Sequence, residues 1–483
     1  MQHLIEMLFQ NAKNYKDRCA FSDSGEKLSF EEVFTRSSSL AATISSKGHV
    51  VGVLAESGNS WALAQLAAVL AGKLLVPIPT FFSSDQIASL TRDAGIELML
   101  VTQIQAGRLG VCDIERLIIG NYGATSAQWG VKPGFGQIVY TSGSTGAPKG
   151  VRHEGGQIAW SARALAAATN ASASDLHLSV LPLPMLLETI CAIFVPTLVG
   201  ARAHFETAFS ERLAQGDVHG IGNIFEERRP TTSVLVPHLL RRWTGELSAL
   251  GRPAPSSLRV VAVGGAAIGE ASAQAAVDVG IPVFEGYGLS ECCSVVSLNT
   301  PAERKSGTVG RALPGLDVTI DGGEIVVDGP SVMSGYLHKG RQTGPWRTGD
   351  LGHLDIDGYL TVLGRKDNLI VTSTGRNVSP EWVEGVLAAD PRILGSCVLG
   401  CGGPFPSALI VPSCHGSEWF GSANDEELRA SVRTICAALP DYAIPQEIRV
   451  LDEASARAQG LFTSNGRIKR DIARSLTTQT QGA

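Results

Sequence analysis

Residues 136–150 read GQIVYTSGSTGAPKG, an apolar strand-like run that breaks after Tyr140 into glycines, hydroxyl side chains, a proline and Lys149. Glycine turns let several backbone N–H groups converge, and hydroxyls with one lysine add further donors, so the segment has the chemistry of a polyphosphate cradle at a strand end. It is not a Walker loop, because Lys149 follows Pro148 and precedes Gly150 instead of sitting between a glycine and a Ser or Thr. A plain surface loop would account for the glycines and serines but not for this order of Thr, Ser, Lys and Pro.

Working outward, short β-rich runs such as HVVGVLA (49–55), ELMLVT (97–102), TSVLVP (232–237) and LRVVAVGG (258–265) alternate with alanine- and leucine-rich stretches such as SWALAQLAAVLAG (60–72). That alternation predicts an α/β fold with buried parallel sheets flanked by helices. From about 316 the texture changes to strands broken by glycine turns, DVTIDGGEIVVDG and then GHLDIDGYLTVLGRKDNLIVT, which predicts a small antiparallel β unit leading into a final α+β segment. With 483 residues, 44% of them hydrophobic and 18% charged, the chain exceeds one core and calls for two domains or more.

The net charge of −6 carries no long run of either sign, which excludes a nucleic-acid surface or a polybasic membrane anchor. Nine cysteines without a disulfide-like spacing fit a reducing cytoplasm. Cys397 and Cys401 have the spacing of half a metal site but lack a second pair, so they are read as core thiols, and of adjacent Cys292 and Cys293 one is expected in the core and the other at a pocket. The N-terminal MQHLIEMLFQNAKNYKDR reads as a surface helix. The apolar LPLPMLLETICAIFVPTLVGA (181–201), with three prolines and Glu188, reads as a buried loop and helix, not an integral membrane segment.

The 140–150 segment resembles the signature loop of the acyl-adenylate-forming (AMP-binding) superfamily, which includes acyl-CoA synthetases, adenylation domains of nonribosomal peptide synthetases and firefly luciferase. Further stretches agree in order: VAVGGAAIG (261–269), YGLSE (287–291), GEIVVDGPSVMSGY (323–336), WRTGDLG (346–352), GYLTVLGRKDN (358–368), GRNVSPEWVE (375–384), LPDYAIP (439–445) and NGRIKR (465–470). The resemblance implies a large N-terminal domain of stacked α/β sheets over residues 1–366, joined at a hinge on Asp367 to a small mobile domain over 367–483.

It also implies roles. Thr141, Ser142, Gly143, Ser144, Thr145, Gly146 and Lys149 would hold the β- and γ-phosphates of ATP. Glu291, with Thr141, would hold Mg²⁺, an ion suited to oxygen ligands. Gly264, Gly265 and Ala266 would pass along adenine, Tyr287 would stack near it, and Glu285, Gly286, Gly288, Leu289 and Ser290 would also bind the nucleotide. Asp350 would accept from both ribose hydroxyls, with Arg365 close by. Lys469 would be the adenylation lysine, and Thr141 and Glu291 would also serve catalysis. Gly375, Arg376 and Asn377 would enter the site in a second pose to receive a thiol.

The resemblance further implies an AMP-forming acid–thiol ligase: a carboxylate attacks ATP, pyrophosphate leaves, and the acyl-AMP passes to CoA or a phosphopantetheine carrier. An amide synthetase stays open beside it. Met185, Leu186, Glu188, Pro237 and His238 would line the acyl pocket. Pro184 and Met185 replace the aromatic and His that many aryl- and acyl-CoA synthetases carry after LPL, and an apolar pocket for a medium- or long-chain fatty acid, or another hydrophobic acid, is expected. A monomer or homodimer is expected.

Overall fold

A computed structural model describes residues 1–109, 114–120, 132–141, 148–215, 217–266, 268–400, 402–463 and 466–478. Two large sheets organise the N-terminal part. The first has nine strands, with six parallel ones at its centre in the order Cys19–Ser22, Arg202–Phe205, Leu176–Ser179, Thr232–Leu235, Val260–Val263 and Val283–Leu289. The second has seven, of which Gly136–Thr141, Leu74–Pro77, Val50–Leu54, Leu98–Val101 and Glu115–Ile118 run parallel, and Lys149–Glu154 and Gly335–Tyr336 close one edge antiparallel.

The helix Asn59–Leu70 shows why the sheets stack. Trp61 through Val69 are all buried, so no face is left for water, and the helix packs between two layers. Its cluster joins Phe21 and Phe205 of the first sheet to Val51, Leu75 and Leu98 of the second. A one-sided helix behaves differently: Ser84–Ala94 buries only Ile87, Leu90, Thr91 and Ala94, and starts at a capping box between Ser83 and Gln86. The N-terminal helix, Gln2–Asn14, likewise turns Leu4, Ile5 and Leu8 inward.

The antiparallel unit is a four-stranded sheet of Asp317–Asp321, Glu324–Asp328, Trp346–Leu354 and Leu360–Arg365. Beyond it lie a short hairpin, Ile370–Val371 with Asn377–Val378, and a three-stranded sheet of Ile393–Leu399, Ser407–Pro412 and Glu447–Val450. The two apolar clusters of this last region draw their buried members only from Ile370 onward.

The 181–201 stretch folds as a buried loop followed by helix, with one departure from regularity: Leu186–Thr189 and Val195–Val199 are α-helical but Ile190–Phe194 between them is π-helical. Pro196 lacks an N–H and its ring crowds the carbonyl four residues back, and the widened turn relieves that crowding. The cysteine pair corrects the expectation that one thiol faces a pocket. Both are fully buried, Cys292 against the small antiparallel sheet and Cys293 in the main core, because Cys293 and Ser294 take positive φ and turn the chain between two clusters. Cys397 is buried, and Cys401 lies outside the described residues. Among the described residues no helix is long and apolar enough to cross a membrane.

Candidate functional site

Five of the expected segments leave the carboxyl ends of parallel strands, where α/β sheets bind ligands. The strand Gly136–Thr141 hands over to the glycine-rich loop; Ser142 through Gly146 lie outside the described residues. Thr141 and Lys149 are register partners at the neck of that hairpin. The Lys149 ammonium sits 6.0 Å from the centre of the Tyr336 ring, and the Tyr336 hydroxyl donates to Glu291 Oε1 at 2.7 Å. Burial and the Glu291 carboxylate push the Tyr336 phenol above its ordinary pKa, so it stays a donor. Tyr336, though it closes the quoted GEIVVDGPSVMSGY, was given no role by sequence; pairing of Gly335–Tyr336 with Arg152 and Val151 brings it there.

A second group forms around Tyr287 of the Val283–Leu289 strand. Asp350 is buried; its Oδ2 accepts from the Tyr287 hydroxyl at 2.5 Å and its Oδ1 from Arg365 at 3.1 Å. Asp350 and Arg365 are direct neighbours across two antiparallel strands, which fixes the pair. Burial holds the Asp350 carboxyl above its ordinary pKa in spite of these donors, and pushes the Tyr287 phenol well up. Glu285, a register partner of Val263, is shifted by burial to about 7.

Small residues make the wall between these groups. Gly264, Gly265 and Ala266 follow the strand Val260–Val263, and Gly265 takes φ +88°. At Gly288 an added Cβ would collide with the Ser294 carbonyl oxygen, so the strand pairs this closely only because no side chain is there. Leu289 and Ser290 continue it, the Ser290 carbonyl accepting from His153 Nε2 at 2.7 Å.

The C-terminal lobe closes the cleft with the turn around Gly466. Thr463 and Arg467 exchange hydrogen bonds, Phe462 pairs with Ile468, and Gly466 at φ +73° lies against the His238 ring, which is 3.2 Å from where a Cβ would sit. This turn points Arg467, not Lys469, at Gly265. An Arg467 terminal nitrogen is 3.7 Å from a Cβ built on Gly265, and the charges of Asp350, Glu381 and Arg365 act on it. The residue is exposed, and desolvation by the protein around it lowers its pKa. Lys469, expected in this place, is exposed at the start of the helix Arg470–Thr478, its backbone N–H donating to Leu461 O. Both residues stand in the NGRIKR stretch, and only the geometry of the turn separates them.

The remaining expected residues are spread. Asp367 is exposed in the short turn Lys366–Asn368 after the antiparallel sheet. Gly375, Arg376 and Asn377 form an exposed hairpin tip, Gly375 at φ +75° and Arg376 over the Tyr442 ring of its own lobe. Of the residues expected at the acyl pocket, Pro237 begins the helix Pro237–Leu250 straight after a strand, and burial lowers the His238 imidazole to about 4, with Arg241, Arg457 and Arg242 adding to the effect. Met185 is half-buried and Leu186 fully so.

Glu188 has no exposed surface. Neither oxygen has a hydrogen bond: Ser179 and the Leu181 amide are the nearest donors but fall short of bonding geometry, and His177 Nε2 is 4.0 Å away. Burial raises it to about 8, so at neutral pH it is largely a neutral acid. No group of three His, Cys, Asp or Glu that could hold a metal ion occurs among the described residues. A lone Glu291 therefore suits an ion held mainly by phosphate oxygens.

The sequence profile described as AMP-binding enzyme matches residues 8–337, and that of the AMP-binding enzyme C-terminal domain matches 367–475. The chain is 39% identical to the long-chain-fatty-acid–CoA ligase FadD15 of Mycobacterium bovis over 36% of its own length, and spans only 30% of that relative. It is 27% identical to the 2-succinylbenzoate–CoA ligase of Bacillus mycoides over 95% of its length and 97% of the relative's. Among solved structures, O-succinylbenzoate coenzyme A synthetase from Bacillus subtilis in complex with ATP and magnesium ion superposes with a TM-score of 0.80 at 25% identity, covering 96% of this chain and 98% of that one.

Proposed function

The chain belongs to the AMP-binding enzyme family, and on that premise we propose that it is an ATP-dependent acid–thiol ligase: it joins a carboxylic acid to AMP with release of pyrophosphate, then passes the acyl group to CoA. The observation that carries the reading is the convergence of cleft groups. Tyr287, Asp350 and Arg365 stand at one end, Thr141, Lys149, Tyr336 and Glu291 at the other, and Arg467 reaches in from the C-terminal lobe against Gly265.

Each group has a task set by its chemistry. Asp350 offers acceptors to the ribose hydroxyls, held in place by Tyr287 and Arg365. Lys149 at the loop neck neutralises departing pyrophosphate. Glu291 would hold Mg²⁺ together with the ATP phosphates, and that ion would offset their charge. Arg467 takes the contact expected of Lys469: its guanidinium can donate to the attacking carboxylate and the α-phosphoryl oxygens together, where charge grows in the transition state. Neutral Glu188 is unsuited to gripping a substrate ammonium, which argues against an amino acid. An apolar acid body, fatty or aryl, fits the half-buried Met185.

We further propose that residues 1–366 and 367–483 are the moving parts, with Asp367 as hinge, and that rotation brings Gly375, Arg376 and Asn377 to the site for transfer. The cytoplasm is the proposed location, in keeping with the free cysteines. The test is carboxylate-dependent exchange of labelled pyrophosphate into ATP across fatty, aryl, hydroxy and amino acids, followed by product analysis with CoA. Folded protein that binds ATP yet exchanges with none of these acids would refute the reading.

A further inference from the structure

The hairpin of Gly136–Thr141 and Lys149–Glu154 is held from behind by a contact that no step of the proposed chemistry uses. Side chains alternate along a strand, so Tyr140 leaves the opposite face from Thr141. Its hydroxyl donates to Asp93 Oδ2 at 2.5 Å, in the last turn of the helix Ser84–Ala94. Burial and the Asp93 carboxylate push the Tyr140 phenol well above its ordinary pKa, so it remains a donor. Ile87, Leu90 and Ala94 seat that helix in the cluster against which Tyr140 and Leu337 also pack, so Asp93 offers the hairpin a fixed point.

A second stretch reaches the same point. The Leu337 N–H donates to the Gly150 carbonyl at 2.7 Å, and Gly150 is the register partner of Tyr140. His338, the next residue, donates from Nε2 to the Asp93 carbonyl at 2.9 Å, with Asp93 Oδ1 at 3.4 Å. It takes φ +62°, a conformation uncommon for a residue with a Cβ and kept where surrounding contacts fix it. One residue before Leu337, Tyr336 holds Glu291 and lies by Lys149, the register partner of Thr141. Three consecutive residues thus tie Glu291 to the back of the hairpin, and the tie ends on Asp93.

We propose that Asp93 is a positioning residue: through Tyr140 and His338 it fixes the neck of the hairpin, and with it the places of Thr141 and Lys149 relative to Glu291, for the phosphates of ATP. The proposal rests on the ligase reading above. Asp93 touches no substrate and acts only through those two side chains. Pyrophosphate takes part in adenylation and not in thiol transfer, so the effect belongs to the first half-reaction. A residue that merely stabilised the fold would slow both.

The test uses the full chain, with ATP binding measured by calorimetry and with pyrophosphate–ATP exchange and thioester formation from preformed acyl-AMP followed separately. The contact is partly exposed, which keeps its strength moderate. Asp93→Ala should raise the Kd for ATP and the KM for pyrophosphate about 3- to 10-fold, leaving the KM for the acid and the thioester rate unchanged. Asp93→Asn, which keeps an acceptor for the Tyr140 hydroxyl, should recover much of the loss. Tyr140→Phe should match Asp93→Ala, and the double variant should be no worse than either, because both remove one contact. Unchanged ATP and pyrophosphate dependence in Asp93→Ala, additive losses in the double variant, or equal slowing of both half-reactions overturns the proposal. A wild type that binds ATP but exchanges with no acid refutes the ligase reading alone, since ATP binding by the variants still decides the role of Asp93.

Discussion

The proposed nucleotide wall and the proposed acyl wall of the cleft rise from the same strand ends but are finished in opposite ways. On the nucleotide wall the polar groups already satisfy one another: Tyr287 and Arg365 on Asp350, Tyr336 on Glu291. On the acyl wall they do not. Both Glu188 oxygens, His177 Nε2 and Ser179 Oγ are buried without a hydrogen bond among the described residues. A wall that meets the same nucleotide in every turnover gains from being assembled in advance. A wall that selects among acids keeps unpaired groups whose partners come with the ligand, or whose protonation state sets what is admitted.

The largest expected effect tests whether the nucleotide wall is completed by the C-terminal lobe. Arg467→Ala should slow adenylation by roughly 10²- to 10³-fold, the scale of losing one preorganised donor to a transition state. Lys469→Ala should change it by less than about threefold, since an exposed side chain outside the cleft offers the reaction nothing. Pyrophosphate release and thioester formation from preformed acyl-AMP, measured separately, check this. If Lys469→Ala carries the loss and Arg467→Ala does not, the lobe turns differently during the reaction.

The next effect probes the acyl wall through stability. Glu188 binds its proton up to about pH 8 in the folded protein and to about 4.5 when unfolded. The folded state therefore holds the extra proton between those values, and stability falls as pH rises through that window. Glu188→Gln removes this dependence. Its melting temperature should draw ahead of the wild type from pH 5 to pH 9, by the equivalent of a few kcal/mol at most. A wild type that gains on the variant with rising pH would mean an ionised, paired Glu188. His177 works in the other direction: held at about 4 by burial, it costs stability as pH falls below about 6.5.

The two walls also differ in how far they could be read from sequence. Asp350 and Tyr287 carry their chemistry in their residue types and in the glycine-rich turns around them, and the alternation of strand and helix places them at strand ends. Arg467 was within reach, because NGRIKR offers three cations, Arg467, Lys469 and Arg470; what decides among them is a positive φ at Gly466 and the Phe462–Ile468 pairing, neither of which leaves a periodic mark. Tyr336 depends on an edge pairing across some 185 residues of chain. The unpaired state of the Glu188 oxygens was illegible, because the absence of a partner is a property of three dimensions. The same holds for the π-helical turn and for both cysteines being buried.

A smaller effect sharpens the nucleotide side. Asp350→Asn keeps an acceptor but releases Arg365 from its charge partner, and the KM for ATP should rise roughly 10-fold, within the range for hydrogen bonds to charged groups. Unchanged ATP dependence would separate Asp350 from the ribose.

The smallest effect concerns Tyr336, where two contacts can be told apart. Its hydroxyl holds Glu291 at 2.7 Å, and its ring lies 6.0 Å from the Lys149 ammonium. Tyr336→Phe keeps the ring and removes the hydroxyl, costing about 1 kcal/mol, so the Mg²⁺ concentration for half-maximal exchange should rise about fivefold with the maximal rate little altered. Tyr336→Leu removes the ring as well and should add a further loss of about 0.5–1 kcal/mol, seen as weaker ATP binding. Equal behaviour of the two variants would assign the whole effect to the hydroxyl, and Lys149 would then be positioned by its own hairpin.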